Sequence, residues 1–313
     1  MSIEITTAFV QQYRSNVIHL AQQRGSRLWN FVQLKDNVVG KSEFFERIGK
    51  SEMRDVVSRH DDTPQMDTPH SRRMATMVTS DWADLIDKRD NIRILLDPTS
   101  AYSLSAGMAV GRRKDKHIVD AAIGNSYGGE TGATAIPLPA TQKISANSFG
   151  LTFQKLLDTK EIFDANEMGG DEGDPNKRIF IYSSRQLNEL LGDTKMTSVD
   201  YNAIKALIKG EINEYLGFTF VRVEPRKGAP SAGTASGDNK HGLPYNQSTD
   251  VTTCIAFYGP SIALAIGQME TFRVSERDDK RYSTQVYVEM DIGSTRVEEE
   301  GVVLIDCDNS PAI

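Results

Sequence analysis

Apolar positions spaced by three and four open the chain: Phe9, Tyr13, Val17 and Leu20 fall on one helical face. Thr6 or Thr7 can cap this helix and Gly25 ends it. Residues 27–34 are β-branched and aromatic with no breaker, which predicts a strand. The longest helical pattern runs over residues 97–123. Asp97-Pro98 supplies a cap followed by a proline at the first helical position, and Gly124-Asn125 stops the run. At 1.5 Å per residue this helix is roughly 40 Å long. Gly107 and Gly111 lie one turn apart and predict a close backbone approach or a bend.

Past residue 125 the periods shorten. Residues 126–149 are rich in glycine and threonine and read as loop or hairpin. Residues 151–168 predict a second helix and 169–175 a turn. A compact strand follows over 178–182, then a short helix over 184–191 and a third long helix over 198–216, ended by Gly217. Residues 218–223 and 251–258 predict strands, with a lid-like, low-complexity loop over 228–246 between them. The small-residue run 261–267 predicts a helix, and 284–290 and 302–306 predict strands. Strand, helix, helix, strand in this order argues for mixed layering of helices on sheet.

Residues 41–90 break the pattern through charge. They hold nine basic and eleven acidic side chains, a 40% charged segment in a chain that is 25% charged overall. Two Thr-Pro steps, at 63–64 and 68–69, push the backbone into extended geometry. Apolar spacing on the flanks (Phe44, Phe45 and Ile48 before; Met74, Thr76 and Val78 after) predicts a long two-stranded excursion with a proline-stiffened tip. A loop of this length inside a compact domain should be functional or disordered.

Candidate chemistry is sparse. The net charge of −7 argues against a protein whose main task is gripping phosphates. Two cysteines, Cys254 and Cys307, cannot build a disulfide framework or a four-thiolate zinc site. No run approaches the roughly 18 apolar residues of a membrane span, and the N-terminus has no signal-peptide pattern. Gly128-Gly-Glu-Thr-Gly132 follows a helix rather than a strand and reads as a flexible hairpin, not a phosphate loop. His60, Asp61, Asp62 and His70 are the right residue types for a metal-dependent hydrolase, but they sit on a proline-broken charged stretch. Arg112, Arg113, Lys114 and Lys116 could touch nucleic acid, yet no aromatics interleave them. Pairing with carboxylates of a neighbouring subunit is the preferred reading of that basic face. Neither a catalytic constellation nor a cofactor or metal site is expected.

The order of parts resembles the major capsid proteins of tailed bacteriophages, the Hong Kong 97 type of fold, and most closely those of short-tailed phages. The residues that carry the resemblance are 58–69 with Arg72-Arg73, then 97–102 running through Gly111-Arg-Arg-Lys-Asp115 into Asp120-Ala-Ala-Ile-Gly124. It implies an α+β fold divided into an N-terminal arm (1–34), an extended loop (35–90), a peripheral domain with a spine helix (91–175), an axial α/β domain (176–275) and a return to the peripheral domain (276–313). It also implies a non-enzymatic shell protein that forms pentamers and hexamers of an icosahedral head around double-stranded DNA, without sequence-specific binding or a membrane. Implied partners are further copies of the chain, a separate scaffolding protein, a portal protein and a decoration protein. The implied setting is the virion, assembled in the host cytoplasm. Contacts between subunits are expected at Arg59, Asp61, Asp62, Asp67, Arg72, Arg73, Arg112, Arg113, Lys114 and Lys116.

Overall fold

The computed structural model describes residues 23–55, 58–59, 62, 65–86, 99–170, 174–192, 214–225 and 242–309. The helix expected over 9–20, the Asp97-Pro98 start, most of the helix expected over 198–216 and the loop over 228–241 lie outside the described residues.

Among the described residues, two seven-stranded sheets pack against one long helix. The first sheet contains β1 (Gln33–Lys35), β2 (Ser42–Ile48), β3 (His70–Ile86), β4 (Ser126–Gly128), β5 (Thr134–Ile136), β12 (Ile262–Arg277) and β13 (Ser283–Arg296). Its order is β1-β12-β13-β3-β4-β5, and β2 also pairs with β3. The second contains β6 (Lys143–Ile144), β7 (Arg178–Tyr182), β8 (Glu214–Tyr215), β9 (Phe218–Arg222), β10 (Tyr245–Asn246), β11 (Val251–Tyr258) and β14 (Val302–Asp308). Its order is β6-β14-β11-β7-β9-β8, with β10 on β11. Among the described residues the helices are α1 (Thr99–Ile123), α2 (Phe153–Ala165) and α3 (Ser184–Gly192). β12 runs across position 275, and β14 returns the chain to the second sheet rather than the first.

Side-chain alternation sets the layers. Ile179 and Ile181 of β7, Ile255 and Phe257 of β11, and Val302 and Leu304 of β14 face α1, where Ala106, Val110, Ile118 and Ala122 meet them. Phe180, Cys254, Ala256, Val303, Ile305 and Cys307 alternate with these and face α2 and α3 instead. A sheet buried on both faces shows continuous apolar runs, which is why β7 and β11 were legible as strands.

The same effect hides β12. Residues 261–267 read as helix because alanine and glycine dilute the run, yet Ile262 and Leu264 face α1 while Ala263 and Ala265 pack beside Val38, Phe45 and Ala75. That alternation makes a strand. Residues 27–34 are corrected as well. Trp29–Phe31 form a 3₁₀ turn, and the strand begins only at Gln33. The end of the expected third helix is also strand, because Leu216 and Gly217 both take positive φ and close a two-residue hairpin between β8 and β9.

The two helix glycines differ. A Cβ at Gly111 would stand 2.6 Å from the carbonyl carbon of Gly25, whereas one at Gly107 would meet nothing within 4 Å among the described residues. The close approach therefore belongs to Gly111 alone. Gly107→Ala should raise stability by about 0.5–1 kcal/mol through helix propensity. Gly111→Ala should lower it by about 1–3 kcal/mol through overpacking. Paired thermal melts check the opposite signs, and equal shifts would refute the assignment.

Candidate subunit-interaction surface

The base of the charged excursion is an antiparallel hairpin. β2 and β3 pair antiparallel from Ser42↔Thr76 to Ile48↔His70. At the end of the ladder the Gly49 amide donates to the Pro69 carbonyl at 2.8 Å. A Cβ on Gly49 would stand 2.6 Å from the Pro69 ring, so glycine lets the strands meet there. Beyond this point residues 50–55 and 65–67 are exposed.

Glu299, in the turn between β13 and β14, holds the base of the hairpin. Arg73 donates to it through Nε and Nη2, both at 3.0 Å, and Arg47 Nη1 adds a third contact at 3.2 Å. Two-point recognition of a carboxylate by a buried guanidinium is directional and fixes the angle of β3 against this turn. Burial pushes the Glu299 carboxyl up, but the hydrogen bonds and charge of Arg73, with Arg47 behind it, outweigh burial and hold it below the usual value. Lys50 reaches Glu167 and the Asn166 carbonyl at the end of α2. This exposed contact contributes little.

Arg72 donates to the carbonyls of Gly129 and Glu130 and stacks 4.7 Å from the Phe44 ring centroid. Arg72 and Arg73 are thus engaged within their own subunit. Arg59, Asp62 and Asp67 are exposed, and Asp67 accepts from Gln65 at 3.2 Å. His60 and Asp61 lie outside the described residues, while His70 is exposed at the first position of β3. Among the described residues no group of histidine, cysteine or carboxylate side chains has metal-ligand geometry. Nothing favours the hydrolase alternative.

The basic stretch of α1 is less basic than it reads. Lys114 is buried with its ammonium 4.4 Å from the Trp29 ring centroid. Burial, with Arg113 adding to it, lowers the His117 pKa to about 4, so this imidazole is neutral at pH 7. Lys116 pairs with Asp120 at 2.7 Å, one turn on. Arg113 Nε donates to Ser80 Oγ of β3 at 3.0 Å. Arg112 is half-buried.

Asp115, inside this run, is only 1% exposed. Its carboxylate accepts from Ser26 Oγ at 2.6 Å, from the Arg27 amide at 3.0 Å and the Leu28 amide at 3.1 Å, and from Gln23 Nε2. Sequence reading missed Asp115 and Glu299 because both sit in runs of charge that resemble solvated surface. Arg296 was missed too: it is fully buried and donates to the carbonyls of Ala122, Gly124 and Ile136.

Residues 5–309 match the family model described as phage capsid protein. The chain belongs to that family. Its function is that of a structural major capsid protein, a component of the virion. The fold agrees. The capsid of Ralstonia phage GP4 superposes with a TM-score of 0.70 at 10% identity, covering 98% of this chain and 97% of that one. The capsid of cyanophage P-SCSP1u gives 0.69 at 17% identity, covering 98% and 95%. A Mycobacterium phage Che8 structure gives 0.61 at 16% identity, covering 97% and 98%. A search of curated protein sequences finds no match.

Proposed function

We propose that this capsid protein builds pentamers and hexamers of an icosahedral head around double-stranded DNA, and that the extended hairpin is its main reach toward neighbouring subunits. The observation that carries this reading is the contrast along the hairpin. β3 is clamped at Arg73 by Glu299, while residues 50–55 and 65–67 beyond the ladder are exposed. An arm clamped at its base, with the described residues of its charged end exposed, gains nothing from that end in a lone subunit. In a shell that repeats one heterologous contact, each copy offers both halves of it.

The first sheet with α1 forms the peripheral unit, and the second sheet with α2 and α3 forms the axial unit. Arg59, Asp61, Asp62 and Asp67 at the tip, and Arg113 and Lys116 on α1, serve contacts between copies. Arg72, Arg73 and Lys114 support those surfaces from within, and Arg112 lies on the same helix. A separate scaffolding protein, a portal and a decoration protein complete the head, which assembles in the host cytoplasm. The acidic balance of the chain suits a container, since a strongly basic wall would immobilise packaged DNA.

Removing residues 51–67 while keeping the Gly49–Pro69 closure tests the reading. The full chain, co-expressed with its scaffolding protein, should give megadalton particles in negative-stain images. The shortened chain should give folded subunits and no closed shells. Shells at wild-type yield from the shortened chain would overturn the role of the hairpin.

A further inference from the structure

The two cysteines stand apart from the surfaces described above. The chain leaves the second sheet along β11, builds β12 and β13 in the first, and returns along β14. Cys254 lies on the outgoing strand and Cys307 on the returning one. β11 and β14 pair antiparallel, with Cys254 opposite Ile305 and Thr252 opposite Cys307. Both thiols therefore stand on one face of the sheet, the face that meets α2 and α3, and both are fully buried. The Cys307 side chain leans back along its strand. Its Sγ donates to the Ile305 carbonyl at 3.8 Å, in the row of Cys254. A hydrogen bond shared with Cys307, and then burial, push the Cys254 thiol well above its usual value. Lys155 places a cation beside the pair. It is buried, and its ammonium donates at 2.9 Å to the carbonyl of Asp306, the residue before Cys307.

We propose that Cys254 and Cys307 form a reversible redox staple, a modification site at which a peroxide joins β11 to β14 through a disulfide. The Cys307 thiolate, formed beside the Lys155 ammonium, attacks one peroxide oxygen. The O–O bond breaks, a sulfenic acid forms and hydroxide leaves. The Cys254 sulfur then displaces the sulfenic hydroxyl and closes the S–S bond. The two thiol protons go to the two leaving oxygens, so two thiols are oxidised and one peroxide is reduced to two waters.

The bond does more than tie neighbouring strands. The loop it closes contains the whole of β12 and β13, which carry β1 and β3 on their two sides. Closing so long a loop restricts the unfolded chain and couples the two sheets. The cysteines are diagonal rather than directly opposite, and diagonal neighbours are typically about 7–8 Å apart, near the limit that a disulfide spans. The staple is therefore strained and open to reduction by a dithiol. Burial restricts it to small oxidants that enter when the sheet opens locally. None of this depends on how the hairpin meets neighbouring copies.

Mass spectrometry of the full chain tests the site. The folded chain is treated with hydrogen peroxide, cleared with catalase and then unfolded in iodoacetamide. The expected product is a monomer about 2 Da lighter than the thiol form that takes up no alkyl group. Its digest should contain one peptide pair joined through Cys254 and Cys307, and dithiothreitol should restore two alkylatable thiols. The oxidised chain should melt at least about 4 °C above the reduced one. Cys254→Ser cannot close the bond, so it should stop at a sulfenic or sulfinic acid on Cys307 and show no such rise.

Two free thiols after treatment, sulfinic acids on both cysteines, or disulfide-linked dimers of the unmodified chain would overturn the site. A disulfide that leaves the melting temperature unchanged or lower would overturn its action as a staple. These readings come from the unmodified chain, so they decide the matter even if the serine variant does not fold.

Discussion

Replacing Asp115 by alanine will lower subunit stability by about 3–5 kcal/mol, because two backbone donors and a hydroxyl lose one buried acceptor. The carboxylate takes the amides of Arg27 and Leu28 together with Ser26 Oγ. Leu28 is fully buried, so its amide finds no water when the acceptor goes. The lost contacts also tie residues 23–28 to the middle of α1, next to the Gly111–Gly25 approach. Asp115→Asn keeps one carbonyl oxygen and should lose less than half as much. At about 2 °C or more per kcal/mol for a chain of this size, the alanine variant should melt on the order of 10 °C lower. Thermal melts of isolated subunits measure both. A fall no larger than that of an exposed substitution such as Asp120→Ala would mean that this carboxylate does not organise the arm.

Legibility in the sequence followed the range of the interaction. Thr152 caps α2 through its own first turn, and β7 and α3 come from runs of fewer than ten residues. Their causes are local, so the pattern predicts β7 and α3 within one residue and α2 within three. The hairpin was legible from its charge and its two Thr-Pro steps, although its clamp was not. Glu299 lies 226 residues from Arg73, and the stretch Glu298-Glu299-Glu300 reads as a solvated turn. Asp115 lies 88 residues from Arg27. Period arguments see only neighbours, so a charged residue buried by a distant partner looks the same as one in water. The basic run of α1 misled for this reason. Of Lys114, Asp115, Lys116 and His117, two are buried against the arm and one is a neutral imidazole. The Gly107 and Gly111 pair shows the same limit, since spacing alone cannot say which glycine meets a neighbour.

Arg296 gives the second large effect. It is a fully buried cation among the described residues that faces three main-chain carbonyls rather than a carboxylate. Nη1 donates to Ala122 at 3.0 Å and Gly124 at 2.8 Å, at the C-terminal end of α1, while Nη2 donates to Ile136 of β5 at 3.1 Å. Carbonyls left open at a helix C-terminus carry partial negative charge, so a cation placed there is favoured. Burial lowers the Arg296 pKa, and the nearby charge of Glu299 opposes that shift. Arg296→Met fills most of the volume but leaves these carbonyls without a donor, at about 1–3 kcal/mol for each one that water cannot reach. The expected total is about 3–5 kcal/mol. Arg296→Lys keeps the charge but concentrates the donors on one nitrogen, which cannot span the helix end and β5 together. It should recover only part of the loss. Because β4 joins β5 to β3, amide hydrogen exchange should speed up along residues 126–136 in the methionine variant before the second sheet responds. Uniform acceleration across both sheets would mean that Arg296 stabilises the subunit as a whole instead of pinning the helix end to the β4–β5 hairpin.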